Sequence, residues 1–130
     1  MQEVYEFLKK CGTYYLATVE GNQPRVRPFG TVDLFENKLY IQTDRHKKVG
    51  GQMKENPLVE ICCFDGQTWL RLSGEAVPDE RVEAKKHMLD QYPSLRSMYD
   101  ENDEKTQVLY LRGVTAVFRS FTAPERVITF

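Results

Sequence analysis

The chain has 130 residues, 41% of them hydrophobic and 12% aromatic, and a formal net charge of −1. That is enough for one domain around one core, and too close to neutral for a general attraction to nucleic acid or an anionic membrane. No apolar run approaches the ~20 residues needed to span a bilayer, and the N-terminal MQEVYEFLKK lacks the apolar stretch of a signal peptide. The expectation is a single cytoplasmic domain over residues 1–130 with neither a nucleic-acid nor a membrane partner.

In chain order, Val4, Phe7, Leu8 and Cys11 follow i, i+3, i+4, i+7 spacing and Gly12 comes next, which predicts a short amphipathic helix with a glycine stop. TYYLATVE (13–20) is rich in β-branched and aromatic residues and reads as a strand, with GNQP as the turn after it. Arg25–Glu36 reads as a second strand whose prolines place it at an edge or bulge. LYIQTD (39–44) is a third. RHKKVGGQMKEN (45–56) reads as a helix ended by Asn56-Pro57, weakened by Gly50-Gly51. LVEICCF and TWLRLSGEAV are two strands joined at Asp65-Gly66, a hairpin signal.

Pro78-Asp79 predicts a helix start with Asp79 as its cap, its apolar stripe made by Val82, Lys85, Lys86 and Leu89. Pro93 restarts a short helix through Tyr99, and Asp100–Lys105 is an acidic loop. QVLYLR, VTAVFRSF and RVITF return to strand. Six or seven closely spaced strands with three short helices predict a mainly β fold, a small antiparallel barrel with helical trim.

Three stretches carry candidate chemistry. In PRVRPFG (24–30), Arg25 and Arg27 are two apart and share one face of a strand. A guanidinium grips phosphate or carboxylate through two parallel hydrogen bonds, although two solvated arginines on an exposed face would look the same. TDRHKKVGG (43–51) leaves a strand and opens a helix with Lys47 and Lys48. Helix N-termini favour anions, and basic residues there are slightly unfavourable unless an anion joins them. His46 reads as a surface histidine. In TWLRLSG (68–74), Trp69, Arg71 and Ser73 share the face opposite Leu70 and Leu72, as a flat-ring pocket or as rim packing. Cys62 and Cys63 are strand neighbours pointing to opposite faces, so they cannot bridge, and no Cys/His cluster predicts a metal. No residue stands out as a general acid or base, and no nucleotide fingerprint is present.

YYLATVEGNQPRVRPFG, LYIQTDRHKKV, NPLVEICC and TWLRLSGEAV in this order resemble the FMN-binding split-barrel family related to pyridoxamine 5′-phosphate oxidase, in its short bacterial forms. The resemblance implies an antiparallel split β-barrel, a homodimer, and FMN in a groove at the dimer interface. It places Arg25, Val26, Arg27 and Pro28 under the flavin and toward its phosphate, Gln42 and Thr43 at the cofactor, and Lys47 and Lys48 at the phosphate. Trp69 and Arg71 correspond to a strand that reaches the cofactor from across the interface. It further implies a flavin-dependent oxidoreductase acting on a small molecule. The alternative is a non-catalytic protein that stores or senses flavin, haem or a deazaflavin.

Overall fold

The computed structural model describes residues 1–130. Helix α1 (Gln2–Cys11) leads into strands β1 (Tyr14–Glu20) and β2 (Gln23–Phe29), followed by β3 (Asp33–Phe35) and β4 (Lys38–Asp44). Helix α2 (Lys48–Glu55), strands β5 (Leu58–Phe64) and β6 (Thr68–Asp79), helix α3 (Val82–Gln91), a 3₁₀ turn (Pro93–Ser97) and strands β7 (Thr106–Ser120) and β8 (Arg126–Thr129) complete it. Every pairing is antiparallel, in the order β2-β1-β5-β6-β7-β4-β3, with β8 added to β7. This is an antiparallel split β-barrel. The long β7 binds β4 through its first residues and β8 through its last, while β6 runs beside it along most of its length.

Period-2 burial generates the core. Leu58–Phe64 alternates, with Val59, Ile61 and Cys63 buried between exposed neighbours, as expected for a strand with one wet face. Leu16, Ile41, Ile61, Leu70, Leu72 and Ala116 fill the barrel, and Val4 and Leu8 of α1 close one end. Gly12 ends α1 at φ 76°, its N–H donating to Leu8 O at 3.1 Å. The Asp65 hairpin is held by its carboxylate, which accepts the Gln67 and Thr68 N–H groups at 2.9 and 2.7 Å. Cys62 is exposed, Cys63 is buried, and all three thiols are free.

Five expectations need correction. The strand predicted over Arg25–Glu36 breaks into β2 and β3, because Gly30, Thr31 and Val32 leave the ladder and Val32 turns into the core. QVLYLR and VTAVFRSF form one strand: Gly113, at φ 63°, and the irregularity at Ser73–Glu75 bend the β6–β7 ribbon without interrupting it. Asp79 does not cap α3. It stays in β6, and its carboxylate accepts the Arg81 N–H at 3.2 Å just ahead of the helix. The buried face of α3 is Ala84, Lys85, Met88 and Leu89, with Val82 44% exposed. The apolar count in that helix is low, so the stripe was poorly defined. The helix expected over 45–56 begins at Lys48, with Arg45–Lys47 as a turn into it.

Candidate cofactor-binding groove

Strand β2 lies at one edge of the sheet, paired only with β1. Opposite Arg25 and Arg27 on β1 stand Thr18 and Leu16, both buried. The two arginines thus share the inward side of the edge strand, as their spacing predicts, and α2 packs across that side. Val26, on the other side, is 68% exposed.

The arginines do different work. Arg27 is half-buried and its guanidinium is occupied: Nη1 donates to Leu16 O at 3.2 Å and to Thr18 Oγ1 at 2.8 Å, and Nη2 donates to Gln52 Oε1 at 2.5 Å. Gln52, 7% exposed on α2, also accepts from Thr18 Oγ1 at 2.6 Å. Arg27 therefore ties β1, β2 and α2 together, and burial, with the charge of Arg25, lowers its pKa. Arg25 is exposed and donates through Nε and Nη2 to Glu20 Oε1 at 3.2 and 2.9 Å. Gln52 Nε2 adds a contact to Glu20 Oε2 at 3.3 Å. Arg25 and these neighbours hold the Glu20 carboxyl below its usual range, with Lys48 contributing to the same field.

Two adjoining depressions open here. One, of about 260 Å³, runs from Arg27, Pro28, Phe29, Gly30 and Thr31 to Gln42, Thr43, Asp44, Lys47 and Val49, and is closed by Leu95, Met98 and Tyr99. The other is lined by Glu20, Arg25, Val26, Arg27, Lys47, Lys48, Val49 and Gln52. They share Arg27, Lys47 and Val49. One continuous groove thus carries four cationic side chains at its α2 end. Helix α2 has no side-chain cap and no acidic residue in its first turn, so its N-terminal field is uncompensated.

The sequence-selected residues Arg25, Val26, Arg27, Pro28, Gln42, Thr43, Lys47 and Lys48 all line this groove. Trp69 and Arg71 do not. They lie in a separate depression on the outer face of β6 and β7, with Ser73, Thr115, Val117 and Arg119, and Arg71 donates to Glu60 at 3.2 Å. His46 is exposed, as read from the sequence. Sequence reasoning missed Thr31, Asp44, Val49, Leu95, Met98 and Tyr99, along with the bracing role of Thr18 and Gln52. Thr31 and Asp44 adjoin residues already chosen, and adjacency was the only signal for them. The 95–99 segment reaches the groove through tertiary folding alone.

The groove floor has unspent hydrogen-bonding capacity. Gln42 Oε1 and Thr31 Oγ1 are buried without a partner. Buried orphan groups cost about 1–3 kcal/mol each, so the lining fits a ligand with a polar ring edge at Gln42 and Thr31 and an anionic tail near Arg25, Lys47 and Lys48.

Comparison with known proteins agrees with the fold. A NimC/NimA family protein from Clostridium acetobutylicum superposes with a TM-score of 0.97 at 44% identity, over 100% of this chain and 92% of that one. General stress protein 26 from Bacillus anthracis matches at TM-score 0.76 and 17% identity, over 99% and 98% of the two chains. HutZ, the haem storage protein from Vibrio cholerae, matches at TM-score 0.68 and 17% identity, over 87% and 91%. No curated protein sequence matches significantly. The profile of the pyridoxamine 5′-phosphate oxidase family matches residues 1–117, and the chain belongs to that family.

Proposed function

We propose that this protein is an FMN-binding, flavin-dependent oxidoreductase acting on a small molecule, and that it works in the cytoplasm as a homodimer. The observation that carries this reading is the groove's lining: unpartnered Gln42 Oε1 and Thr31 Oγ1 in one depression, Arg25 and Lys48 in the adjoining one, and Lys47 shared by both. FMN has the matching pattern, a flat ring with a polar edge joined to a dianionic phosphate. When bound, it supplies the redox chemistry, and the protein supplies orientation and electrostatics.

In this reading Gln42, Thr31 and Thr43 take the ring edge, and the β2 backbone around Val26 and Pro28 lies against the ring. Arg25, Lys47 and Lys48 hold the phosphate, each charge-assisted bond contributing roughly 1.5–3 kcal/mol. Arg27, already committed to Leu16, Thr18 and Gln52, fixes the strand rather than gripping the phosphate. Trp69 and Arg71 reach a flavin only from a second copy. The half-exposed Tyr15, Phe64 and Val127, with Trp69 and Phe121 at ring centroids 5.3 Å apart, give the outer sheet face an apolar character suited to that copy.

Titration with FMN and riboflavin is the test. FMN binding should weaken in Arg25→Ala and in the double change Lys47→Ala, Lys48→Ala, with riboflavin binding nearly unchanged. Equal losses for both ligands, or no flavin bound at all, would overturn the assignment, and an intense Soret band on haem addition would favour the storage alternative. Sedimentation of the flavin-loaded protein should show a dimer.

A further inference from the structure

Two of the three free thiols meet at the end of the barrel that α1 closes. Val4, Leu8 and Cys11 lie on one stripe of α1, and Val4 and Leu8 are buried against the barrel. Cys11 continues that stripe and packs, half-buried, on the core cluster that contains Cys63. The chain then turns sharply. Gly12 takes φ 76°, the Thr13 N–H donates to Cys11 O at 2.9 Å, and β1 begins at Tyr14. In the β1–β5 ladder Tyr15 pairs with Cys62. The same register carried one residue further sets Tyr14 beside Cys63, both buried. Three residues of tight turn therefore separate Cys11 from the neighbour of Cys63.

A second link holds the two segments together. Lys10 Nζ donates to Asp65 Oδ2 at 2.9 Å, so the residue before Cys11 is tied to the hairpin two residues after Cys63. Burial, with the nearby Cys11 and Cys62 thiols, pushes the Cys63 thiol up, so it stays protonated and unreactive by itself. Cys62 points the other way, exposed on the outer face of β5.

We propose that Cys11 and Cys63 are a redox-sensitive pair, converted by a peroxide into a disulfide that pins α1 to β5. Cys11, the more accessible of the two, reacts first. Its thiolate attacks one peroxide oxygen, the O–O bond breaks, and a sulfenic acid and water form. The Cys63 sulfur then displaces the hydroxyl group. The S–S bond forms, the S–O bond breaks, and the Cys63 proton leaves with the hydroxyl as a second water. Two thiols are oxidised by two electrons, and one hydrogen peroxide is reduced to two waters. A dithiol reverses the step by exchange. The proposal is independent of what the groove binds.

The test uses the reduced full chain, one equivalent of hydrogen peroxide, and N-ethylmaleimide to count the thiols left. The mass of the single chain should fall by two hydrogens, and one label should be taken up where the reduced chain, with its three free thiols, takes three. Cys62→Ser should keep the loss of two hydrogens, which assigns the bond, since Cys62 and Cys63 share a tryptic peptide. Cys11→Ser should abolish it, as should Cys63→Ala; Cys11 is only half-buried, so its variant serves if the core variant does not fold. The oxidised protein should melt roughly 10 °C above the reduced one, because the bond closes a long loop in the unfolded chain, and dithiothreitol should return it to the lower value. A link through Cys62, a link between two chains, three labels after peroxide, or a cross-linked protein that melts no higher than the reduced one overturns the proposal.

Discussion

Replacing Gln52 by leucine should destabilise the fold by roughly 3 kcal/mol. The figure follows from what Gln52 Oε1 accepts: the Thr18 hydroxyl at 2.6 Å and an Arg27 Nη2 proton at 2.5 Å. Losing a neutral hydrogen bond costs about 1 kcal/mol, and losing one to a charged group about 1.5–3 kcal/mol. Thr18, 2% exposed, cannot turn to water. Arg27 is half-exposed and regains part of its hydration, which puts its share near the lower bound. Leucine has nearly the same bulk, so a cavity adds little. For 130 residues, an unfolding entropy of about 2.1 cal/mol/K per residue converts the loss to roughly 10 °C in Tm. Urea unfolding followed by the fluorescence of Trp69, at one fixed protein concentration because dimerisation would couple to stability, reads it directly. Thr18→Val should cost about 1–2 kcal/mol. The double variant should cost less than the sum, because the two changes remove one shared bond. A loss under about 0.5 kcal/mol in Gln52→Leu, or strict additivity, would refute the view that this buried network fixes α2 against β1 and β2.

Glu20→Gln should tighten FMN binding several-fold and leave riboflavin unchanged, since the Glu20 carboxylate occupies Arg25 at 2.9 Å and competes with a phosphate; paired titrations check it. Gly74→Ala should destabilise by more than about 1 kcal/mol, because a Cβ there meets Arg112 O at 3.0 Å and Val114 Cγ2 at 3.1 Å. Gly51→Ala, with open space around it, should be neutral or stabilise α2 by up to about 1 kcal/mol, and thermal melts of the two compare them. Arg81 chiefly, with help from Tyr40, holds the Asp79 carboxyl down at about 2. A depressed carboxyl stabilises the fold above its unfolded pKa, and the contribution disappears as pH falls through the folded one. Asp79→Asn should therefore flatten the acid side of the stability curve between about pH 4 and 2, measured by urea midpoints across that range.

Strand and helix identities were legible wherever one face of an element is buried, as in β5, where Val59, Ile61 and Cys63 alternate with exposed residues. The edge position of β2 was legible from Pro24 and Pro28, and the basic cluster from Arg25, Lys47 and Lys48. What the sequence did not reveal depends on contacts between distant segments. The break at Gly30–Val32 is set by Val32 entering the core. The continuity of β7 through Gly113 is set by the β6 ladder beside it. The division of labour between the two arginines turns on Gln52, a helix residue whose polar side chain looks solvated until α2 is docked. Leu95, Met98 and Tyr99 belong to a short turn with no periodicity to mark them, and Asp44 looked like part of a basic loop.

Strand β7 has a consequence for how the chain is made. It pairs with β4, β6 and β8, yet it begins only at Thr106. During vectorial synthesis β4 and β6 therefore leave the ribosome with no strand between them and with their backbone edges open. Pairing β4 to β7 closes a loop of more than sixty residues, a non-local step of the kind that slows folding to milliseconds or longer. Until then the nascent chain presents apolar, unpaired strands, the form most prone to misassembly. A chain truncated before Thr106 loses the strand that joins β4 to β6, and with it the means of closing the barrel.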